Sequence, residues 1–110
     1  TLVGDVSNID SSGANASDSF YLYQNYPNPF KSETRIRYIL KEAAPVKIEI
    51  FSIRGEKIKS LFNGEQDTGT YEDLTWDGTG QERNKVSSGL YFCTMQVGNK
   101  SHTKKIIFLK

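Results

Sequence analysis

Cysteine and histidine are almost missing from this chain of 110 residues, which holds only Cys93 and His102 of those two types. A single cysteine forms no internal disulfide, and one thiol with one imidazole cannot assemble a zinc cluster. An excess of one charge is missing as well. Lys and Arg number 14 against 13 Asp and Glu, a net charge of +1, so nothing marks the chain as a nucleic-acid binder. No apolar run reaches the roughly 18 residues of a membrane-crossing helix, so no transmembrane segment is expected. The chain opens at Thr1 with neither methionine nor a signal-peptide pattern, and it reads as a processed or excised piece of something longer.

What is present suffices for one domain. Aromatics make up 12% and the broad hydrophobic class 36%, and a domain of this size hides roughly 60–68% of its unfolded surface. Residues 1–19 differ from the rest. They carry Asp5, Asp10 and Asp18, no basic residue, and the small polar run Ser11 to Ser17. Such a segment buries too little to offset its ordering entropy, and it reads as a flexible linker. Leu2, Val3 and Val6 form its one apolar spot, suited to a short edge strand.

From Phe20 to Lys110 the apolar residues recur at period two rather than 3.6. Phe20 to Tyr23 is a short extended piece. Pro27 and Pro29 then fix φ and remove two amide donors, so Tyr26 to Phe30 is a rigid elbow, with Tyr26 and Phe30 as plugs at its ends. Thr34 to Leu40 puts Ile36, Tyr38 and Leu40 on one face. Glu42 to Pro45 is a turn, and Val46, Ile48 and Ile50 face inward from the next strand. Phe51 and Ile53 continue it with opposite parity, which points to a bulge or to cover on both faces. Gly55 closes a hairpin. The return strand runs from Glu56 to Phe62, with Ile58 and Leu61 or Phe62 buried, and a loop punctuated by Asn63-Gly64 and Thr68-Gly69 follows. Thr70 to Trp76 is a strand with Leu74 and Trp76 inward, residues 79–88 are a polar loop, and Leu90 to Val97 and Ser101 to Leu109 are joined by a Gly98-Asn99 turn. The pattern predicts an all-β fold, an antiparallel two-sheet β-sandwich of about seven strands, with a small barrel as the alternative.

Sites for chemistry are sparse. His102 reads as a solvent-facing strand residue and Cys93 as a small buried hydrophobe. Asp77, the carbonyls of residues 79–84 and Glu82 can be imagined around Ca²⁺, but the alternating Asx-rich loop is missing, and Asp77 better fits an Asx-turn capping its own loop. Glu33, Glu49 and Glu72 carry no fixed separation for a glycosidase pair. The tyrosines and Trp76 suit core packing better than a sugar platform, Tyr21, Tyr23 and Phe92 being the least clear. Lys100, Lys104, Lys105 and Lys110 around an apolar stretch read as guards of an edge strand and, compatibly, as a recognition surface.

Several motifs together resemble one family. Asn25-Tyr26-Pro27-Asn28-Pro29-Phe30, then Thr34, Ile36, Tyr38 and Leu40, are similar to the opening of the type IX secretion C-terminal sorting domain. Val46 to Phe51, Gly55, Ile58, Leu61, Gly69, Trp76-Asp77-Gly78, Val86 to Phe92, and Lys104, Lys105 and Lys110 continue the likeness in order and spacing. An Ig-like domain of the flagellar hook-capping protein shares the Trp-Asp-Gly and Ser-Gly-x-Tyr-Phe features. Two departures stand out: Lys31-Ser32-Glu33 replaces a commoner Asn-Pro-x, and Cys93 stands where an aromatic is common.

The resemblance implies an Ig-like antiparallel β-sandwich with Greek-key connections, serving as a non-catalytic sorting signal at the C-terminus of a secreted or surface protein. Its cargo, the upstream part of the same polypeptide, would travel through the periplasm and an outer-membrane translocon. Partners would be the type IX translocon and its sorting proteins, with no nucleic acid and no cofactor. The terminal lysine-bearing region is the part associated with recognition, mapping here to Gly98, Lys104, Lys105 and Lys110. Tyr26, Pro27, Asn28, Pro29, Phe30, Trp76, Asp77, Gly78, Gly89 and Tyr91 would hold the fold. Two other readings stay open. An accessory structural or carbohydrate-binding module of a secreted multidomain hydrolase would need exposed aromatics in a row, and a hook-assembly scaffold domain would sit inside its parent. An enzyme has least support, since no nucleophile-base pair or metal cluster is visible.

Overall fold

A computed structural model describes residues 19–110. Apart from Ser19, the linker reading of 1–19 and the edge strand at Leu2, Val3 and Val6 lie outside the described residues. Seven strands follow one another: β1 Phe20–Leu22, β2 Thr34–Leu40, β3 Ala44–Ser52, β4 Lys57–Gln66, β5 Gly69–Trp76, β6 Gly89–Val97 and β7 Lys100–Phe108. No helix occurs among the described residues. One sheet has the order β1-β2-β5 and the other β4-β3-β6-β7, with every neighbouring pair antiparallel. The chain changes sheet after β2, β4 and β5, so β5 returns to pair with β2 and β6 with β3, a Greek-key path. Unlike an immunoglobulin constant domain, the fourth strand pairs with the third instead of joining the first, second and fifth.

Period-two patterning accounts for the core. Ile36, Tyr38 and Leu40 of β2 face Val46, Ile48 and Ile50 of β3, Cys93 and Met95 of β6, and Ile106 and Phe108 of β7, with Trp76 in the same buried cluster. Each large side chain withdrawn from water contributes roughly 1.5–3 kcal/mol. Two tyrosines clamp sheet crossings. Tyr71 Oη donates to the Asp67 carbonyl at 2.7 Å as the chain enters β5, and Tyr91 Oη donates to the Ser87 carbonyl at 2.7 Å as it enters β6. The second has the form of the tyrosine corner of Ig-like sandwiches. Burial raises the Tyr91 phenol, and burial with the Tyr71 phenol beside it pushes Tyr38 up to about 12.

Several local expectations are corrected. β4 does not end at Phe62 but runs to Gln66, because Asn63 and Gly64 keep pairing with Lys47 and Val46 of the long β3. Only Asp67 and Thr68 are left between β4 and β5. β3 starts at Ala44, inside the expected turn. Pro45 is tolerated because it pairs with Glu65 of β4 while β6 joins only from Val46 onward. The bulges near Phe51 belong to β4: the register skips Leu61 and Ile58, so Ile58, Leu61 and Phe62 all pack partly against the core. His102 does not simply face solvent. It is half-buried, its ring stacked 4.3 Å from Phe20 and edge-on to Tyr21 at 6.0 Å. The even-numbered residues of β7 face inward, and β1 lies alongside that end of the strand.

Candidate functional site

The elbow follows from a one-residue slip. Leu22 pairs with Tyr38, and the Tyr23 N–H donates to the Arg37 carbonyl at 3.0 Å. Unbroken pairing would set Asn25 opposite Arg35, yet Tyr26 occupies that place, exchanging backbone hydrogen bonds with Arg35 at 3.1 and 2.8 Å. The extra residue reverses the pleat. Asn25 turns inward, donating to Thr34 Oγ1 at 2.8 Å and to the Pro27 carbonyl at 3.2 Å. Thr34 Oγ1 in turn donates to the same carbonyl at 2.8 Å. Tyr26 turns outward and is 76% exposed, while Phe30 is 2% exposed. Tyr26 is therefore not a plug and not a core residue; Phe30 alone closes the elbow. Pattern reading passed over Asn25 as a site residue because a buried amide leaves no mark on hydrophobic periodicity.

The Trp76–Thr79 turn meets the elbow on β7. Trp76 Nε1 donates to the Thr79 carbonyl at 2.9 Å. Asp77 Oδ1 accepts from the Thr79 hydroxyl at 2.5 Å and the Thr79 N–H at 3.2 Å, the Asx-turn arrangement. The Thr79 hydroxyl, the N–H and nearby Lys59 hold the Asp77 carboxyl below its ordinary range, against some desolvation. Gly78 has φ +79°, and a Cβ there would stand 2.6 Å from the Phe108 ring. Phe30, Trp76, Tyr91 and Phe108 pack tilted or edge-on in one aromatic cluster: Phe30–Phe108 4.9 Å, Phe30–Trp76 5.5 Å, Trp76–Tyr91 5.4 Å between centroids.

The last strand is consequently not an open edge along its length. Gln24 Nε2 donates to the Lys105 carbonyl at 2.6 Å, and Asn28 Oδ1 accepts from the Ile107 N–H at 2.8 Å. Phe30 N–H donates to the Ile107 carbonyl and Leu109 N–H to the Phe30 carbonyl, at 3.0 and 2.9 Å. Lys110 N–H donates to Ser88 Oγ at 2.7 Å. Strand addition from Lys105 to Leu109 is thus blocked by the elbow.

The residues mapped to recognition do not form one patch. Lys104 and Lys105 point to opposite faces by strand alternation. Lys104 Nζ lies 5.4 Å from the Tyr21 ring centre on the side nearest β1. Lys105 is exposed on the other face, opposite Phe92, and Lys110 is exposed past the strand end. Gly98, with φ +64°, forms the hairpin tip at the far end of β7, about 30 Å from Lys110 at roughly 3.3 Å per residue. Gly89 opens β6 with φ +152°.

The remaining sites resolve locally. Cys93 is buried, and burial pushes its thiol up to about 12, far from a nucleophile's range. Among the described residues no group of three or more His, Cys, Asp or Glu is placed to hold a metal ion. Glu49 pairs with Lys57 at 3.4 Å in one sheet, while Glu72 lies on β5 in the other and Glu33 precedes β2. Trp76 and Tyr38 are buried, and Tyr21 meets Tyr23 edge-on at 85°, so these rings offer no flat sugar platform.

The described residues form a two-sheet Ig-like sandwich whose final strand is closed by the elbow and by the Trp76–Thr79 turn. The chain belongs to the secretion system C-terminal sorting domain family, whose model matches residues 24–109. It is a type IX secretion sorting signal. Such a signal implies export through that system, to the cell surface or the medium, and interaction with its machinery. The family is in general non-catalytic. In structure the chain is similar to part of dimeric latent PorU from Porphyromonas gingivalis, with a TM-score of 0.61 and 18% identity. That similarity covers 87% of this chain and 10% of the PorU chain, and it bears on the fold. No curated protein matches the chain.

Proposed function

We propose that residues 20–110 act as a non-catalytic address on an upstream cargo in the same polypeptide. The cargo crosses from the periplasm through the outer-membrane translocon, and sorting proteins read this domain in its folded form. The observation carrying this reading is the double lock on β7. Elbow and Trp76 turn both close on Phe108, so the tail presents its lysines from a fixed backbone and not as a loose peptide. In this reading Lys104, Lys105 and Lys110 are contacts, and Gly98 shapes the tip that presents the strand's other end.

Deleting residues 101–110 would not test the idea, because Ile106 and Phe108 leave the core with them. The discriminating experiment fuses the chain to a periplasmic reporter in a type IX-competent host and replaces Lys104, Lys105 and Lys110 together by Ala. The expected result is loss of surface display with an unchanged unfolding midpoint. Full display by that variant would overturn the lysine assignment.

A further inference from the structure

Arg35 and Arg37 stand on the outer face of β2, away from the core. With Tyr26, Pro27 and Glu33 they line a concavity of ≈ 470 Å³, within the range of ligand pockets of about 300–1,000 Å³. The bulge at Gln24–Asn25 creates it, lifting Tyr26 beside the strand instead of tucking it under. Tyr26 is held by two backbone hydrogen bonds, so a large exposed ring sits on a fixed main chain. That combination loses little entropy on contact and characterises interface anchors. Neither arginine is held in an ion pair with another described residue. Arg37 lies 4.8 Å over the Tyr23 ring, Tyr23 meets Tyr21 at 4.7 Å, and Lys104 reaches Tyr21. Cations and aromatic rings thus run in contact from Arg37 beside the elbow groove across to Lys104 on the tail strand.

We propose that this stripe, centred on Tyr26, Arg35 and Arg37, is a docking surface for an extended acidic segment of a protein partner. The proposal rests on reading the domain as one recognised by protein machinery. Guanidinium forks match carboxylates in two parallel hydrogen bonds, and tyrosines pack along a peptide's apolar atoms. Glu33 on the rim selects the ligand class. Its carboxylate accepts from peptide N–H groups but repels a dense polyanion such as a sulfated or phosphorylated polysaccharide.

The test titrates the chain with a fluorescein-labelled peptide of alternating Glu and Ser, read by anisotropy and amide NMR shifts. Saturable binding is expected, with shifts confined to residues 21–26, 33–37 and Lys104. Arg35→Glu should weaken it about tenfold or more and Tyr26→Ala several-fold, while Lys47→Ala, exposed on the other sheet, leaves it unchanged. Unchanged unfolding midpoints exclude misfolding as the cause. The proposal is overturned by absence of saturable binding, by Arg35→Glu binding within about twofold of the parent, by shifts centred on Lys105 to Lys110, or by dextran sulfate or a neutral oligosaccharide occupying the same residues more tightly than the peptide. A failed titration leaves reporter export untouched, so the two readings fail separately.

Discussion

Two turns close on the last strand, and they divide their residues differently. The Trp76–Thr79 turn closes its polar groups on itself: the indole donates to the Thr79 carbonyl, the Thr79 hydroxyl donates to Asp77, and Gly78 lies under Phe108. The Tyr26–Phe30 elbow is split. Phe30 joins the same aromatic cluster, while Tyr26, four residues earlier, is 76% exposed in the groove it lines with Arg35 and Arg37. One extra residue at Gln24–Asn25 makes that division. Two short turns built of aromatic and Asx residues therefore serve different ends, and register decides which.

Removing the ring that both turns grip should have the largest effect. Phe108→Ala is expected to cost about 3–5 kcal/mol in urea unfolding, because the ring is fully buried against Phe30, Trp76 and Gly78. A loss below about 1 kcal/mol would mean that the turns do not meet there. The inward turn has a pH signature of its own. The Thr79 hydroxyl chiefly holds the folded Asp77 pKa below its unfolded value of about 3.9. A depressed carboxyl adds stability above the unfolded value and loses it as pH falls through the folded one. Asp77→Asn should thus be less stable than the parent at neutral pH, with the gap closing below about pH 4. A gap independent of pH would contradict the Asp77–Thr79 account. Tyr26→Ala should have the smallest effect on stability, within about 0.5 kcal/mol, and its cost should fall on binding. A core-sized loss would return Tyr26 to the role of plug.

Much of this fold was legible because burial here has one period. Ile36, Ile48 and Trp76 meet in one interior, as alternation within separate strands requires. What alternation does not encode is a change of phase. The bulge before Tyr26 and those opposing β3 shift a pleat by one residue, and the hydrogen bonds that fix the first (Asn25 to Thr34 and Pro27) come from a polar side chain. The length of β4 escaped for a related reason. Asn63-Gly64 reads as a turn in isolation, but a long partner strand holds it extended. The covered edge of β7 was equally hidden, since its partners Gln24 and Asn28 lie 81 and 79 positions from Lys105 and Ile107.

The central claim is that the folded sandwich itself carries an export address. The most direct measurement is the surface-exposed fraction of a reporter bearing this chain at its C-terminus, compared between hosts with and without a working type IX translocon. The account predicts surface exposure in the first and periplasmic retention in the second. Equal distribution in both hosts, with the domain folded, would contradict it.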